Sequence, residues 1–279
     1  LKSHDIESIL KTVYDNFSVI KKPELTLEAN PNDLTKENIE KYINLGISRI
    51  SLGGQSFYDS HLKRFNRTHT GKDVIDSVQL IQNAGINNIN LDLMYGFTGL
   101  SNKEWKKNLM TAIKLKIPHL SCYSLTIEKG TVFYNMIKNG KMKIKSDDKI
   151  KSQFLIMRDI LLANDFNHYE ISNFCKSKYQ SKHNLGYWTG NKYLGVGPSA
   201  HSYNGKKRQW NVKNNVKYIN ALKNKNILFE EEALTKNNII NEYILTKLRT
   251  NQGVSFRTLK SLTHANQIKY LEKKVRFFE

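Results

Sequence analysis

The first 125 residues alternate between short apolar runs and longer amphipathic segments, and this alternation restricts the fold more than any other feature of the chain. Helical spacing of apolar residues indicates helices over 3–17, 35–45, 72–84 and from the capping box Ser101–Glu104 onward. Between them, apolar runs indicate strands over 25–28, 48–53, 88–94 and 119–125. Because strands that alternate with helices form parallel sheets, the sequence predicts an α/β fold.

Residues that are common at helix ends mark the predicted limits of these helices. Ser3 is the predicted N-cap of the first helix, and Gly46 and Gly85 suit the left-handed position just beyond a helix C-terminus. The series begins with a helix, whereas a barrel usually begins with a strand. We therefore expect a fragment that lacks the N-terminal strands of its barrel, with a C-terminus that is also cut, in mid-pattern at Glu279.

The regular alternation loosens after residue 130. Residues 136–146 are predicted to form a loop rich in lysine and glycine, and residues 168–174 a strand. Between them an amphipathic helix is predicted over 147–164, with an inward face formed by Phe154, Met157 and Leu161. A glycine-rich turn is predicted over 193–203, and two or three helices are predicted from residue 237 onward, around Gly253.

Polar side chains end three of the predicted strands. Glu28, Gln55 and Asp92 close or follow apolar runs that predict successive strands. In a parallel α/β barrel the C-terminal strand ends share one rim, where substrates and cofactors bind. The sequence therefore predicts a ligand site at which these three side chains meet.

Composition and charge narrow the class of protein. Hydrophobic residues make up 39% of the chain, which indicates a globular protein, and no apolar run approaches the roughly 20 residues of a membrane span. The net charge of +19 would attract an anionic ligand. A nucleic-acid interface needs clustered charge, whereas here the lysines are spread along the chain and only 8 of 44 basic residues are arginine. With no signal peptide and no cysteine framework, a cytoplasmic protein is expected.

Several motifs resemble those of a known family. The segments EANP at 28–31, GISRISLGGQS at 46–56 and NLDLMYG at 90–96 are similar to radical S-adenosylmethionine (SAM) proteins of the oxygen-independent coproporphyrinogen III oxidase group. The segment HNLGYW at 183–188 resembles the HemW branch of that group, whose members are regarded as heme chaperones. Two further segments agree with this assignment, YEISNF at 169–174 and GVGPSAH at 195–201. The resemblance covers nearly the whole chain.

The resemblance implies an N-terminally truncated, partial (β/α)6 barrel of the TIM type with a small, mainly helical C-terminal subdomain. It also implies SAM and a [4Fe–4S] cluster as cofactors. The positions that match SAM contacts in the family are Glu28, Gln55, Arg67 and Asp92, with weaker matches at Thr126 and His201. Asp92 would accept hydrogen bonds from ribose hydroxyls, Glu28 would accept from the ligand's ammonium, and Arg67 would pair with its carboxylate.

The HNLGYW segment adds candidate contacts with heme. Imidazole is a usual axial ligand of heme iron, so His183 is the candidate ligand, with Asn184, Tyr187 and Trp188 around it. The competing interpretation is a structural histidine that bonds the backbone beside two core aromatic residues.

The cysteines depart from the family pattern. The family's Cys-x3-Cys-x2-Cys cluster motif and its Gly-Gly-Gly-Thr-Pro stretch have no counterpart here, so the cluster ligands are expected upstream of Leu1 and none is assigned within the chain. Cys122 and Cys175 match no cluster spacing and are predicted to be buried thiols. The predicted domains are a barrel without its first strands over 1–130, the barrel completion with a family-type extension over 131–235, and a truncated helical subdomain over 236–279.

Three functions stay open on the sequence alone, and no catalytic residue is assigned. The first is a heme chaperone that binds heme and passes it to an acceptor protein. The second is a coproporphyrinogen III oxidase, in which the cofactor would supply the radical chemistry of porphyrin biosynthesis. The third is a nucleic-acid binder that uses helices over 239–265 as a helix-turn-helix, although only Arg257 and Lys260 are basic on its second helix. The HNLGYW segment favours the chaperone, and nucleic acid is an unfavoured partner.

Overall fold

The computed structural model describes residues 1–140, 145–263 and 265–278. The chain falls into two compact units, Leu1–Gln180 and Ser181–Glu279. The three-part division at residues 130 and 235 stays a prediction.

A six-stranded sheet forms the centre of the first unit. Its four parallel strands are β1 Thr26–Ala29, β2 Arg49–Gln55, β3 Ile89–Tyr95 and β4 His119–Ser124. An antiparallel hairpin of β5 Asn167–Glu170 and β6 Asn173–Cys175 adds to β4, in the order β1-β2-β3-β4-β6-β5. The predicted α/β fold with a parallel sheet is confirmed.

Seven helices of the first unit connect and cover these strands: α1 Ser3–Asn16, α2 Lys36–Asn44, α3 Asp59–Arg64, α4 Gly71–Asn83, α5 Asn102–Lys114, α6 Val132–Lys138 and α7 Asp147–Leu162. A short 3-10 helix over Pro31–Asp33 follows β1. The predicted capping box of α5 is present, with the Ser101 side chain accepting from the Glu104 N–H. Gly46 and Gly85 adopt positive φ angles of 83° and 94° just past α2 and α4, as predicted for helix ends.

The core of the first unit lies between the sheet and its helices. Leu52, Leu91 and Leu120 from three neighbouring strands are fully buried there. Trp105 of α5 is also fully buried, stacks on Tyr95 with ring centroids 5.5 Å apart, and donates its indole N–H to the Gln153 carbonyl at 3.0 Å. The predicted inward face of α7 is confirmed. Phe154 is half-buried there, and Met157 and Leu161 are fully buried. The prediction that both cysteines are buried thiols is confirmed, since Cys122 and Cys175 are free and buried.

The second unit is smaller and combines a sheet with helices. Its antiparallel strands are β7 His201–Tyr203, β8 Lys207–Asn211 and β9 Phe229–Ala233. Its helices are α8 Lys182–Thr189, α9 Asn215–Lys223, α10 Lys236–Leu248, α11 Phe256–Leu262 and α12 Ala265–Phe278. The last three confirm the predicted C-terminal helices. Among the described residues, no helix combines the length and apolar character that crossing a membrane requires.

Several predicted limits were wrong. Lys2, and not Ser3, is the N-cap of α1, because the Asp5 carboxylate accepts from the Lys2 N–H at 2.9 Å. The strand predicted over 168–174 is a hairpin, because β6 must turn back to pair with β4. Asp92 lies in the middle of β3, whose pairing with β4 continues to Tyr95.

The predicted loop over 136–146 is only partly described. Its first three residues belong to α6, which ends at Lys138. Residues 141–144 lie outside the described residues, as does Glu279, on which the prediction of a cut C-terminus fell.

Candidate functional site

One face of the parallel sheet is polar, whereas the other is the apolar core. Side chains alternate between the two faces along each strand, so Ser51 of β2, Asn90 and Asp92 of β3, and Ser121 of β4 share the face opposite the core leucines. Buried polar groups are stable only when they are hydrogen-bonded, and these side chains bond to one another.

Asn90 is the centre of this hydrogen-bond network. Its Nδ2 donates to Ser51 Oγ at 2.8 Å and to Asp92 Oδ1 at 2.7 Å. Its Oδ1 accepts from Ser121 Oγ at 2.9 Å and lies 2.6 Å from His119 Nδ1. The two donor and two acceptor positions of the amide are therefore occupied, and one oxygen of the Asp92 carboxylate is fixed by Asn90.

His119 extends the network to a further strand. Burial lowers the pKa of His119 to about 3, so the imidazole is neutral near pH 7. Since Asn90 Oδ1 can only accept, His119 Nδ1 carries the proton, and Nε2 accepts from the Tyr169 hydroxyl at 2.8 Å. Asp92 is thus held by a chain of bonds that begins on β5.

A cavity of about 410 Å³ opens beside this network. A volume of this size is typical of small-molecule sites. The lining residues are Glu28, Ala29, Asn30, Ser51, Gly53, Gln55, Arg67, Asp92 and Tyr123. The structure therefore brings together four of the side chains that the sequence predicted, one each from β1, β2, β3 and the segment between α3 and α4.

Charged side chains of both signs line the cavity. Burial raises the pKa of Asp92; the polar side chains of Asn90 and Ser121 oppose this shift, and the nearby Glu28 carboxylate adds to it. Arg67 donates from Nη1 to Asn30 Oδ1 at 3.4 Å on the same cavity wall. Two carboxylates and one guanidinium suit a zwitterionic ligand whose ammonium and carboxylate each meet the opposite charge.

Gln55 enters the cavity from an unusual backbone conformation. Its φ of 65° is left-handed, which costs a residue with a side chain on the order of 1 kcal/mol, and it follows a register shift between β2 and β3. The Tyr123 hydroxyl donates to Gln55 Oε1, which leaves the amide nitrogen as the donor for a ligand. Gly53 lies beside this side chain, since a Cβ there would be 3.4 Å from Gln55 Nε2 and 3.6 Å from Asn30 Oδ1, both ordinary contact distances.

The two weaker predicted contacts do not line this cavity. Thr126 is exposed in the segment after β4. His201 is exposed at the start of β7 in the second unit, where its ring lies 6.1 Å from that of Trp210. Contacts of Thr126 and His201 with SAM stay predictions.

The four candidate heme contacts lie on α8, where Tyr187 and Trp188 line one cavity. Residues four apart share a helix face, which pairs His183 with Tyr187 and Asn184 with Trp188. His183 is exposed, and its ring meets the Tyr187 ring edge-on at 4.9 Å. Trp188 is half-buried, and the Arg249 guanidinium lies 4.9 Å from its ring centroid. An exposed imidazole beside one aromatic ring is accessible to a heme iron.

No metal site is evident within the described residues, where no three side chains of the ligating types His, Cys, Asp and Glu group together. Burial raises the pKa of Cys175 to about 11 and that of Cys122 further still, which disfavours the thiolate forms that ligate iron. The residues described do not fit a [4Fe–4S] cluster.

Sequence reasoning missed several residues of the cavity. Tyr123 is the clearest, because it lines the cavity and bonds Gln55. A signal was available: His119, Ser121 and Tyr123 alternate with apolar residues along β4, which indicates a polar strand face. Asn30 and Ser51 also line the cavity and were not predicted.

This chain is similar to known proteins in sequence and in fold. The family model of the Radical SAM superfamily matches residues 3–112. The heme chaperone HemW of Lactococcus lactis is 36% identical over 91% of this chain and 67% of its own length. The heme chaperone HemW of Buchnera aphidicola subsp. Acyrthosiphon pisum is 33% identical over 99% of this chain and 72% of its own length. The chain thus spans about two thirds of these curated relatives.

Among solved structures, the coproporphyrinogen III oxidase HemN of Escherichia coli superposes with a TM-score of 0.75. The match covers 90% of this chain and 61% of that one, at 18% sequence identity. A likeness at this identity shows the shared partial-barrel fold.

Proposed function

We propose, from the premise that this chain belongs to the HemW family of radical SAM proteins, that it is a heme chaperone. In this proposal it binds SAM in the cavity of the first unit, binds heme through His183 of the second unit, and transfers that heme to an acceptor protein. The observation that carries the proposal is the meeting of Glu28, Gln55, Arg67 and Asp92 in one cavity.

In this proposal, each residue of the cavity contacts a different group of the ligand. Asp92 accepts from the ribose hydroxyls, since Asn90 occupies only one of its two oxygens. Glu28 accepts from the ammonium, Arg67 pairs with the carboxylate, and the Gln55 amide nitrogen donates to an acceptor of the ligand. SAM supplies a reactive sulfonium when it is bound. The protein holds it in one orientation.

The [4Fe–4S] cluster needs ligands from outside the described residues. Radical SAM proteins use such a cluster, but Cys122 and Cys175 are buried on strands and are not grouped with other ligands among the described side chains. We propose that its three cysteines lie in a further segment of the protein, and we assign no step to the cluster here.

Heme binding is assigned to α8. His183 offers an exposed imidazole for the iron, and Tyr187 adds aromatic surface beside it. Asn184 and Trp188 stay candidate heme contacts in this proposal, and Trp188 lines a cavity of about 350 Å³ together with Tyr187.

The chaperone function is preferred to the oxidase for a specific reason. The relatives at 33% and 36% identity carry the chaperone name, whereas the oxidase is similar in fold at 18% identity. The proposal therefore includes no turnover of coproporphyrinogen III, and the acceptor protein stays open.

The test is a titration of the chain with SAM and, separately, with heme. We expect both ligands to bind. His183→Ala should lose the heme absorption spectrum of the imidazole-ligated iron and keep the wild-type affinity for SAM, because the histidine lies outside the cavity. Absorption spectroscopy and calorimetry measure the two effects.

His4→Ala is the matched control, because His4 is also an exposed histidine but lies on α1 of the first unit. Its heme spectrum should equal that of the wild type. An unchanged spectrum in His183→Ala would exclude His183 as the ligand, and coproporphyrinogen III turnover without heme binding would favour the oxidase.

A further inference from the structure

The turn after β2 carries Gln55 into the cavity, and residues that do not line the cavity hold this turn. The β2 turn comprises residues 54–58. Within it the Ser56 N–H donates to the Gly54 carbonyl at 2.8 Å, and Gln55 has its left-handed φ of 65°. A residue with a side chain keeps this conformation only when its surroundings enforce it.

Ser56 is the hub of the contacts that enforce it. Its side chain is fully buried and accepts from the Tyr58 N–H at 3.2 Å and from Asn108 Nδ2 at 3.3 Å. With both lone pairs occupied, the hydroxyl proton goes to His61 Nδ1 at 3.0 Å. His61 can accept it because burial lowers the pKa of this histidine and keeps the ring neutral.

Asn108 of α5 fixes the turn at a second point. Its Oδ1 accepts from the Phe57 N–H at 3.1 Å, while its Nδ2 donates to Ser56. Asn108 is fully buried and is absent from the cavity lining. One amide side chain therefore bonds the two residues that directly follow Gln55.

The turn is closely packed on two sides. A Cβ at Gly54 would lie 2.5 Å from Leu91 Cδ1, and a Cβ at Gly71 would lie 2.2 Å from the Phe57 carbonyl oxygen. His69 Nε2 also lies 3.2 Å from the Gly54 carbonyl oxygen. The turn is enclosed by β3 on one side and by the start of α4 on the other.

We propose that Asn108, acting through Ser56 and Phe57, is a positioning residue for Gln55. It holds the β2 turn in the conformation that directs the Gln55 carboxamide into the cavity, where that carboxamide meets Tyr123 and the ligand. The inference rests on the proposed SAM site for its effect on binding, but not for its effect on the backbone.

The experiment replaces Asn108 by leucine, which keeps the approximate shape and removes both hydrogen bonds. Asn108→Leu should weaken SAM binding by about threefold to tenfold, as expected when one hydrogen bond to the ligand is misaligned. In a Gln55→Ala background the same change should have almost no further effect, because the residue through which Asn108 acts is gone. Calorimetric titration of the four chains gives the coupling.

Gln153→Met is the matched control. Gln153 is also a fully buried amide that holds a loop by two bonds, accepting from the Gly96 N–H at 2.9 Å and donating to the Leu100 carbonyl at 3.1 Å. Its replacement should lower the thermal midpoint and leave SAM affinity unchanged. An equal loss of affinity in both variants would mean that Asn108 acts only through stability, and would overturn the proposal.

A second measurement separates this inference from the proposed function. Crystal structures of Asn108→Leu and of the milder Ser56→Ala should show Gln55 with a negative φ or with its carboxamide turned out of the cavity. If the wild-type chain fails to bind SAM, the proposed function fails, and these structures still decide the positioning role. An unchanged Gln55 in both variants would refute it.

Discussion

The carboxylate of Asp92 lies half-buried between the Asn90 hydrogen-bond network and the cavity. Burial raises its pKa above the ordinary 3.8, which means that the folded state holds the charged form at a cost. Asn90 lowers this cost by one hydrogen bond but does not remove it. A buried charge that the fold does not need is typical of a ligand site.

Asp92→Asn should therefore raise stability and weaken SAM binding. The raised pKa of Asp92 in the folded state means that the charged carboxylate opposes folding at neutral pH, and the amide removes this penalty while it still accepts from Asn90. The thermal midpoint at pH 7 should rise, and the gain should vanish as the pH falls below 3.8, where both states hold the proton. SAM binding should weaken by roughly 1–3 kcal/mol.

Scanning calorimetry across this pH range and calorimetric titration with SAM measure the two effects. Asp159→Asn is the control, since Asp159 is an exposed carboxylate of α7 paired with Arg158. A lower midpoint for Asp92→Asn at pH 7 would show that the carboxylate stabilises the fold.

At the scale of elements, α4 must start close to the β2 turn. Its first residue, Gly71, has no room for a Cβ, because the Phe57 carbonyl oxygen would lie 2.2 Å away and belongs to the backbone. Gly186 of α8 is different, since the nearest atom to its Cβ would be Asn191 Nδ2 at an ordinary 3.7 Å.

Gly71→Ala should destabilise the first unit by about 1–3 kcal/mol, because the helix and the turn must move apart. Gly186→Ala should be neutral or stabilising by up to about 1 kcal/mol, because alanine favours a helix over glycine. Urea unfolding followed by circular dichroism gives both values. Equal destabilisation by the two changes would show that the close approach at Gly71 relaxes without cost.

Sequence patterns predicted those elements whose limits depend on local residues. The apolar runs placed β1 to β4 within one or two residues, and glycines placed the ends of α2 and α4. The hairpin of β5 and β6 was not predictable, because β6 turns back only to pair with the distant strand β4. Helix α8 spans two turns, which is too short for a clear apolar period.

Only part of the candidate site was predictable from the sequence. Strand-end positions alone indicated Glu28, Gln55 and Asp92, whereas Arg67 came from the family resemblance. The β2 turn was not predictable, because Asn108 is distant in sequence and its bonds to Ser56 and Phe57 exist only after α5 has packed.

At the scale of the whole molecule, the two units contain different parts of the proposed function. The SAM cavity belongs to Leu1–Gln180 and the exposed His183 to Ser181–Glu279. Neither unit groups cluster ligands among the residues described.

Anaerobic reconstitution of the 279-residue chain with iron and sulfide should yield no stoichiometric cluster. The reason is that a [4Fe–4S] cluster usually needs grouped cysteine thiolates, and both cysteines here are buried thiols with raised pKa values. Iron and sulfide analysis with absorption spectroscopy is the measurement. A full cluster on this chain would show that other side chains are ligands.

The buried Trp105 and the two tryptophans of the second unit give each unit its own fluorescence signal. Trp105 is the single tryptophan of Leu1–Gln180, whereas Trp188 and Trp210 belong to the other unit. Trp105→Phe would leave an emission that comes from the second unit alone, and a bound heme quenches nearby indoles by energy transfer. Loading of heme could then be followed in real time without an added dye. The emission of a Trp188→Phe, Trp210→Phe chain would instead report the unfolding of the SAM unit.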